Sequence, residues 1–265
     1  MRYKIRLSYD GSAFCGWQIQ NNAPSVQGTI ETALSTITGQ AVQIIGAGRT
    51  DTGVNAINYI AHFETETPVE AARLCYKLNA MLPHEITIHE ISETDNEFHA
   101  RFDATSREYR YFIHFTKDPF SEKFSYRLRH HLDIDAMNKA AAHLIGEQDF
   151  SCFEKTGGNN TTSICTVTEA VWETYRPAHV ELSGFPYTEG DHIVFRIKAN
   201  RFLRNMVRAI VGSLIEVGQG KKKPSWIAEL IESGSRSDAG QSVPGNALFF
   251  CGAEYGKQGF HDPRG

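Results

Sequence analysis

The sequence is short of several features that would each have named a function class. No apolar run in its 265 residues approaches the roughly 20 needed to span a bilayer. The N-terminal MRYKIRLSYDG alternates apolar and polar residues, which excludes the continuous apolar stretch of a signal peptide. Cysteine is scarce and scattered: Cys15, Cys75, Cys152, Cys165 and Cys251 are odd in number and form no CxxC pair. Neither a disulfide framework nor a zinc knuckle is expected, and reduced thiols in a cytoplasmic protein are. The eleven histidines fall into no metal-ligand spacing, which leaves a nuclease or metal-dependent hydrolase without its ligand cluster. Excess positive charge is missing too. The formal net charge is -4, and the strongly basic balance of many nucleic-acid binders is absent.

The basic residues present are nevertheless grouped. They gather at Arg101, Arg107 and Arg110, at Arg127 to His131, at Arg201, Arg204 and Arg208, and at Lys221 to Lys223. A local basic cleft on an acidic protein fits this pattern, and so do separate solvated faces.

The order of elements repeats. RYKIRLSY alternates with period two and predicts a strand. Val26, Ile30, Leu34 and Ile37 recur at helical spacing, with Ser25 as a cap and Gly39 past the end. AVQII and INYIAHF read as strands, Pro68 opens a helix carrying Leu74 and Leu78, and EITIHEI is a further strand. From Thr105 the order recurs: the strand SREYRYFIHF, a helix in DIDAMNKAAAHLIG closing at Gly146, strands at SICTVTEAVWETY and HIVFRIKA, a helix from Phe202 to Val217, a short helix around Trp226 to Ile231 and a last strand in ALFFCGAEY. The expectation is an α+β protein of two tandem split β-α-β, ferredoxin-like units with a mostly antiparallel sheet. The expected division is 1–104 and 105–265.

Between AVQII and INYIAHF lies GAGRTDTGVNA, Gly46 to Ala56. A phosphate cradle fits poorly, because the third glycine is misplaced for GxGxxG and no GK[ST] follows. A tight turn capped by Asp51 fits, and so does a mount for a reactive carboxylate. The helix from Phe202 is apolar over most of its circumference yet contains Arg208, with Arg204 on the same stripe. A cation there calls for a carboxylate partner or a polar cleft, and Asp51 on a glycine-rich loop is a partner of that kind.

The segments YDGSAFCGWQIQ, VQGTIETAL, GAGRTDTGV, LNAMLP, FHARFDATSREYRYFI, DFSCF and FLRNMVRAIVGSLIEVGQG follow one another through the chain. In them the sequence resembles the tRNA pseudouridine synthase A family over its whole length. The resemblance implies a pseudouridine-synthase fold and an isomerase that converts uridine to pseudouridine at nucleotides 38, 39 and 40 in the anticodon arm of tRNA. It implies a homodimer that needs no cofactor or metal and no membrane. By resemblance Asp51 is the nucleophile, Arg49 contacts RNA phosphate or helps open the target nucleotide, and Arg208 pairs with the carboxylate. Tyr109 packs against the target base, and Leu248 forms another wall of the pocket. Attack at C1′, attack at C6 and removal of a ribose proton all stay open. Asn55 stands where the family usually has histidine, and Gln148 where it usually has the histidine of GHDF. SVPGNALFF departs from the usual run, which shifts Leu248 by up to one residue. A tRNA-binding or tRNA-folding paralogue with little turnover is the alternative.

Overall fold

In the computed structural model the described residues are 1–157 and 161–256, so the end of the expected second division, 257–265, lies outside them. The protein is mixed α/β with a large, mostly antiparallel sheet. It divides into two units, one of residues 1–107 joined by the chain from Phe250 onward, the other Glu108–Phe249. Both passages fall inside strands, β5 (Ala104–His114) and β10 (Leu248–Tyr255), each of which lends residues to both units.

The first unit contains β1 (Arg2–Tyr9), α1 (Val26–Thr38), β2 (Ile44–Gly46), β3 (Asn55–Glu64), α2 (Ala71–Met81) and β4 (Ile86–Glu93). Strand β1 lies between β3 and β4, antiparallel to both, and β2 pairs with β3. The register sets Tyr3 opposite Phe63, Ile5 opposite Ala61 and Leu7 opposite Tyr59, so the expected alternation yields one buried apolar face. The other face is covered as well. Lys4 pairs with His62, both are buried, and Ile60 packs with Phe98, Ala100 and Tyr255.

Helix α1 has the expected caps: Ser25 Oγ accepts from Gly28 N at 3.2 Å, and Gly39 closes it at φ 72°. Two expected bounds shift. Helix α2 begins at Ala71 rather than Pro68, because the Glu70 carboxylate accepts from Ala72 N (3.1 Å) and Arg73 N (2.8 Å) and fixes the start there. Of AVQII only Ile44 and Ile45 join β2; Val42 N donates instead to Ser35 Oγ of α1, and Ile44 N to Glu31 Oε1 on the strand's outer side. Asn79 of α2 brackets Ile88 of β4, donating to its carbonyl and accepting from its amide at 2.8 Å each.

The second unit runs through β5, β6 (Tyr126–Arg127), α3 (Ile134–Ala141), β7 (Gly146–Asp149), β8 (Ile164–Thr174), α4 (Ala178–Ser183), β9 (His192–Ala199), α5 (Met206–Gly218) and α6 (Trp226–Ser233). Its strand order is β5-β9-β8-β7, with β7–β8 and β8–β9 antiparallel. Asn138 of α3 brackets Trp172 of β8 as Asn79 does Ile88, with bonds of 3.1 and 2.8 Å. Helix α3 ends at Ala141 in a short 3-10 turn, and Gly146, at φ 109°, opens strand β7 instead of closing a helix. Strands β6 and β7 and helix α4 lie outside the expected elements.

The largest correction concerns α5. It starts at Met206, four residues after Phe202, because Asn205 is left-handed at φ 65° and no helix runs through it. Arg204 is therefore off the helix and exposed, and the expected shared stripe with Arg208 does not exist.

Candidate active site

The loop from Gly46 to Asn55 is held from below along most of its length. Gly46 leaves no room for a side chain: a Cβ there would sit 2.2 Å from the Tyr59 hydroxyl and 2.7 Å from Trp17. That hydroxyl donates to Gly48 O, and Gly48 N approaches it at 3.4 Å. Thr50 is buried, its hydroxyl 2.9 Å from the Tyr9 hydroxyl, and its carbonyl accepts from Trp17 N at 3.2 Å. Rings of Tyr9, Trp17, Tyr59 and Phe250 form the support, with Trp17 and Tyr59 centroids 4.3 Å apart.

Beyond Thr50 the chain makes a turn. Val54 N donates to Asp51 O at 3.1 Å, and Gly53, third in the turn, takes a positive φ of 77° that glycine adopts without strain. Two glycines from YDGSAFCGWQIQ press against this turn. A Cβ on Gly11 would fall 2.1 Å from Val54 O, and one on Gly16, itself at φ 91°, 2.3 Å from Thr50 O. Asn55 is buried and accepts from Gly11 N at 2.9 Å, which ties the base of the loop to the end of β1. The arrangement leaves Thr50 inward, Asp51 half-buried and Arg49 exposed. A cleft of about 170 Å³ beside the loop is lined by Trp17, Gln27, Ile45, Gly48, Arg49 and Arg101, among others.

Arg107 carries a further contact that sequence reasoning missed. Its guanidinium donates to Ala47 O (3.3 Å), Ala104 O (2.8 Å) and Arg101 O, clamping the start of the loop to the FHARFDA segment. Both that segment and the Gly11 and Gly16 segment were among the quoted motifs. Their glycines and arginine were the readable signal, but which backbone each would touch was not.

The second unit places the remaining candidates. Tyr109 is a buried residue of β5, its ring edge-on to Phe202 at 5.1 Å and 86°. Arg208 is half-buried in the first turn of α5, where the helix dipole disfavours a cation. Its Nε donates to Val243 O at 2.7 Å, and Val243 N returns a bond to Arg208 O at 3.2 Å. The neighbouring Tyr111 donates to Pro244 O at 3.1 Å, and burial pushes its phenol well above the ordinary range. Gly212 lets the same segment lie directly on α5, since a Cβ there would stand 1.8 Å from Gln241 O. SVPGNA is thus fastened from several sides, and Leu248 follows it, buried, as the first residue of β10. Gln148 lies in β7, where its amide donates to His143 O and Ile145 O at 3.0 and 3.1 Å. Arg49 and Asp51 thus share one loop of the first unit, while Tyr109, Arg208 and Leu248 belong to the second.

The sequence profile of a family described as tRNA pseudouridine synthase matches residues 6–103 and 140–256, taking in the whole Asp51 loop and all of α5. The chain belongs to this family, and it is an isomerase of the class that converts uridine to pseudouridine in tRNA. It is 43% identical over 254 residues to tRNA pseudouridine synthase A of Bacteroides thetaiotaomicron, covering 96% of this chain and 90% of that one. It is 42% identical to the enzyme of the same name from Bacteroides fragilis, over 98% of both chains. To the one from Porphyromonas gingivalis it is 45% identical, over 94% of both. Among the described residues no helix is long and apolar enough to cross a membrane.

Proposed function

We propose that the protein isomerises uridines at nucleotides 38, 39 and 40 in the anticodon arm of tRNA, with Asp51 as the nucleophile. The observation that carries the reading is the mounting of Asp51: a half-buried carboxylate on a turn whose backbone is fixed at Gly48, Thr50, Gly53 and Val54. A carboxylate held in this way loses little freedom when it meets a substrate, which favours reaction over mere capping. In the reaction the N1–C1′ bond breaks, C5 bonds to C1′, the proton on C5 leaves and N1 takes up one. Atoms and oxidation state balance without a co-reactant.

Arg49, exposed beside Asp51, contacts RNA phosphate or helps open the target nucleotide, for which a planar donor is suited. Arg208 supports the carboxylate; its cost at a helix N-terminus argues for a purpose beyond packing. Tyr109 packs on the uracil and Leu248 closes the pocket. The functional division is 1–104, carrying the aspartate, and 105–265, carrying the tyrosine and Arg208. A base in a stem must leave its stack to be reached. The enzyme works as a homodimer in the cytoplasm. The region claim is tested by treating unmodified tRNA with the protein and mapping pseudouridines as carbodiimide-dependent stops of reverse transcription. Stops at 38 to 40 are expected, and stops confined to another arm would overturn the assignment.

A further inference from the structure

The segment Phe98 to Asp103 forms a turn that is bonded throughout yet ends in an exposed ring. Asp103 N donates to His99 O at 3.0 Å, and His99 N to Asp103 Oδ2 at 2.7 Å. Arg101 N and Phe102 N both reach His99 Nδ1 at 3.2 Å, and Ala100 N donates to His62 Nδ1 at 3.1 Å. Arg2 and Arg107 hold the carbonyls of Phe98 and Arg101. So rigid a turn could have buried its aromatic residue, and Phe98 is indeed 1% exposed. Phe102 is 73% exposed. Its ring lies against His99, with centroids 4.2 Å apart, and the Arg101 guanidinium lies over the ring, 5.6 Å from its centre. Arg101 also lines the cleft that contains Gly48 and Arg49, which places this tip beside the Asp51 loop within the same unit.

We infer that Phe102 is a stacking platform for an unpaired base of the RNA substrate next to the target uridine, with Arg101 on the phosphate of that nucleotide. A solvent-exposed ring overlain by a flexible cation, which can leave the ring for a phosphate, is what single-stranded RNA uses, because every base has a face to stack. The inference rests on the proposed reaction at Asp51 and adds a specificity element to it. Phe102 is a positioning residue: it touches substrate away from the reacting atoms.

The test uses the full-length protein and tRNA tritiated at uracil C5. Wild type that releases no tritium would count against the proposed reaction; the inference about Phe102 is judged only against an active wild type. Phe102→Ala is expected to raise the KM for tRNA roughly five- to a hundredfold, with kcat for bound tRNA within about twofold and the melting temperature unchanged. Phe102→Trp should keep the affinity, with indole fluorescence quenched on tRNA binding, while Phe102→Leu should behave as alanine does. An abasic nucleotide flanking the target should erase the difference between wild type and Phe102→Ala. Arg101→Gln should lower the slope of log affinity against log salt by about one contact. Phe102→Ala with wild-type KM, or Phe102→Leu equal to Phe102→Trp, would overturn the platform. A change in oligomeric state of Phe102→Ala in place of a change in KM would overturn it also, and would make the ring a contact between copies.

Discussion

At the scale of single residues, burial and hydrogen bonding separate those that brace the Asp51 loop from those left open to solvent. Asn55 belongs to the builders. It is 1% exposed and satisfies Gly11 N, so Asn55→Ala should cost about 1–3 kcal/mol. Chemical denaturation measures that cost, and a loss below about 0.5 kcal/mol would deny the bond its importance. His62 makes a second case. Burial first, then the neighbouring His99 and Arg2, lowers its pKa to about 4, and its Nδ1 must stay unprotonated to accept from Ala100 N. The folded state then takes up this proton later than the unfolded chain does as pH falls. Stability from His62 is complete above the unfolded value near 6.5 and drains away as pH drops toward 4. Melting temperature should fall across that window, and less steeply in His62→Asn, whose Oδ1 can accept without titrating. An equal slope in both proteins would contradict the assignment.

At the scale of elements, the sequence was readable wherever a periodic pattern ended in a local cap. Strand β1 and helix α1 with Ser25 and Gly39 follow from alternation and cap chemistry, and INYIAHF falls within β3, which takes in Asn55, Ala56 and Glu64 as well. It was unreadable where a single residue overrode the pattern. Asn205 adopts a left-handed φ and cuts four residues from an apolar helical run, and its amide donates to Ser242 on a distant segment. Ser35 takes the amide of Val42, which lies outside β2. For the site, Asp51 and Arg49 were legible as a charged pair on a glycine loop, and the family resemblance gave Asp51 its role. The buttress of Tyr9, Trp17 and Tyr59 was not legible, since alternation marks Tyr9 as core without saying what it supports and marks Trp17 not at all. The element's stiffness has a test in Gly16→Ala. The added methyl meets Thr50 O at 2.3 Å on a backbone at φ 91°, so the cost should exceed about 1 kcal/mol. Turnover should fall further than the loss of folded protein explains, because the turn carrying Asp51 must move. Activity that simply tracks the folded fraction would show that the turn's position is not critical.

At the scale of the whole molecule, an acidic chain belongs to a family that acts on a polyanion. Net charge is -4, so attraction to tRNA must come from local basic groups, and Arg49 and Arg101 line one cleft together. Affinity for tRNA should fall linearly in a plot of log affinity against log salt, despite the unfavourable overall charge. Affinity independent of salt between about 50 and 200 mM would remove phosphate contacts from the account. The central claim is chemical, however, and concerns one carboxylate. Tritium release from C5-labelled tRNA reports the new C5–C1′ bond and nothing else about binding. Wild type should release label, while Asp51→Asn and Asp51→Ala should release none over the same time, with melting temperature and tRNA affinity retained. Full release from either variant, folded and saturated with tRNA, would contradict the account.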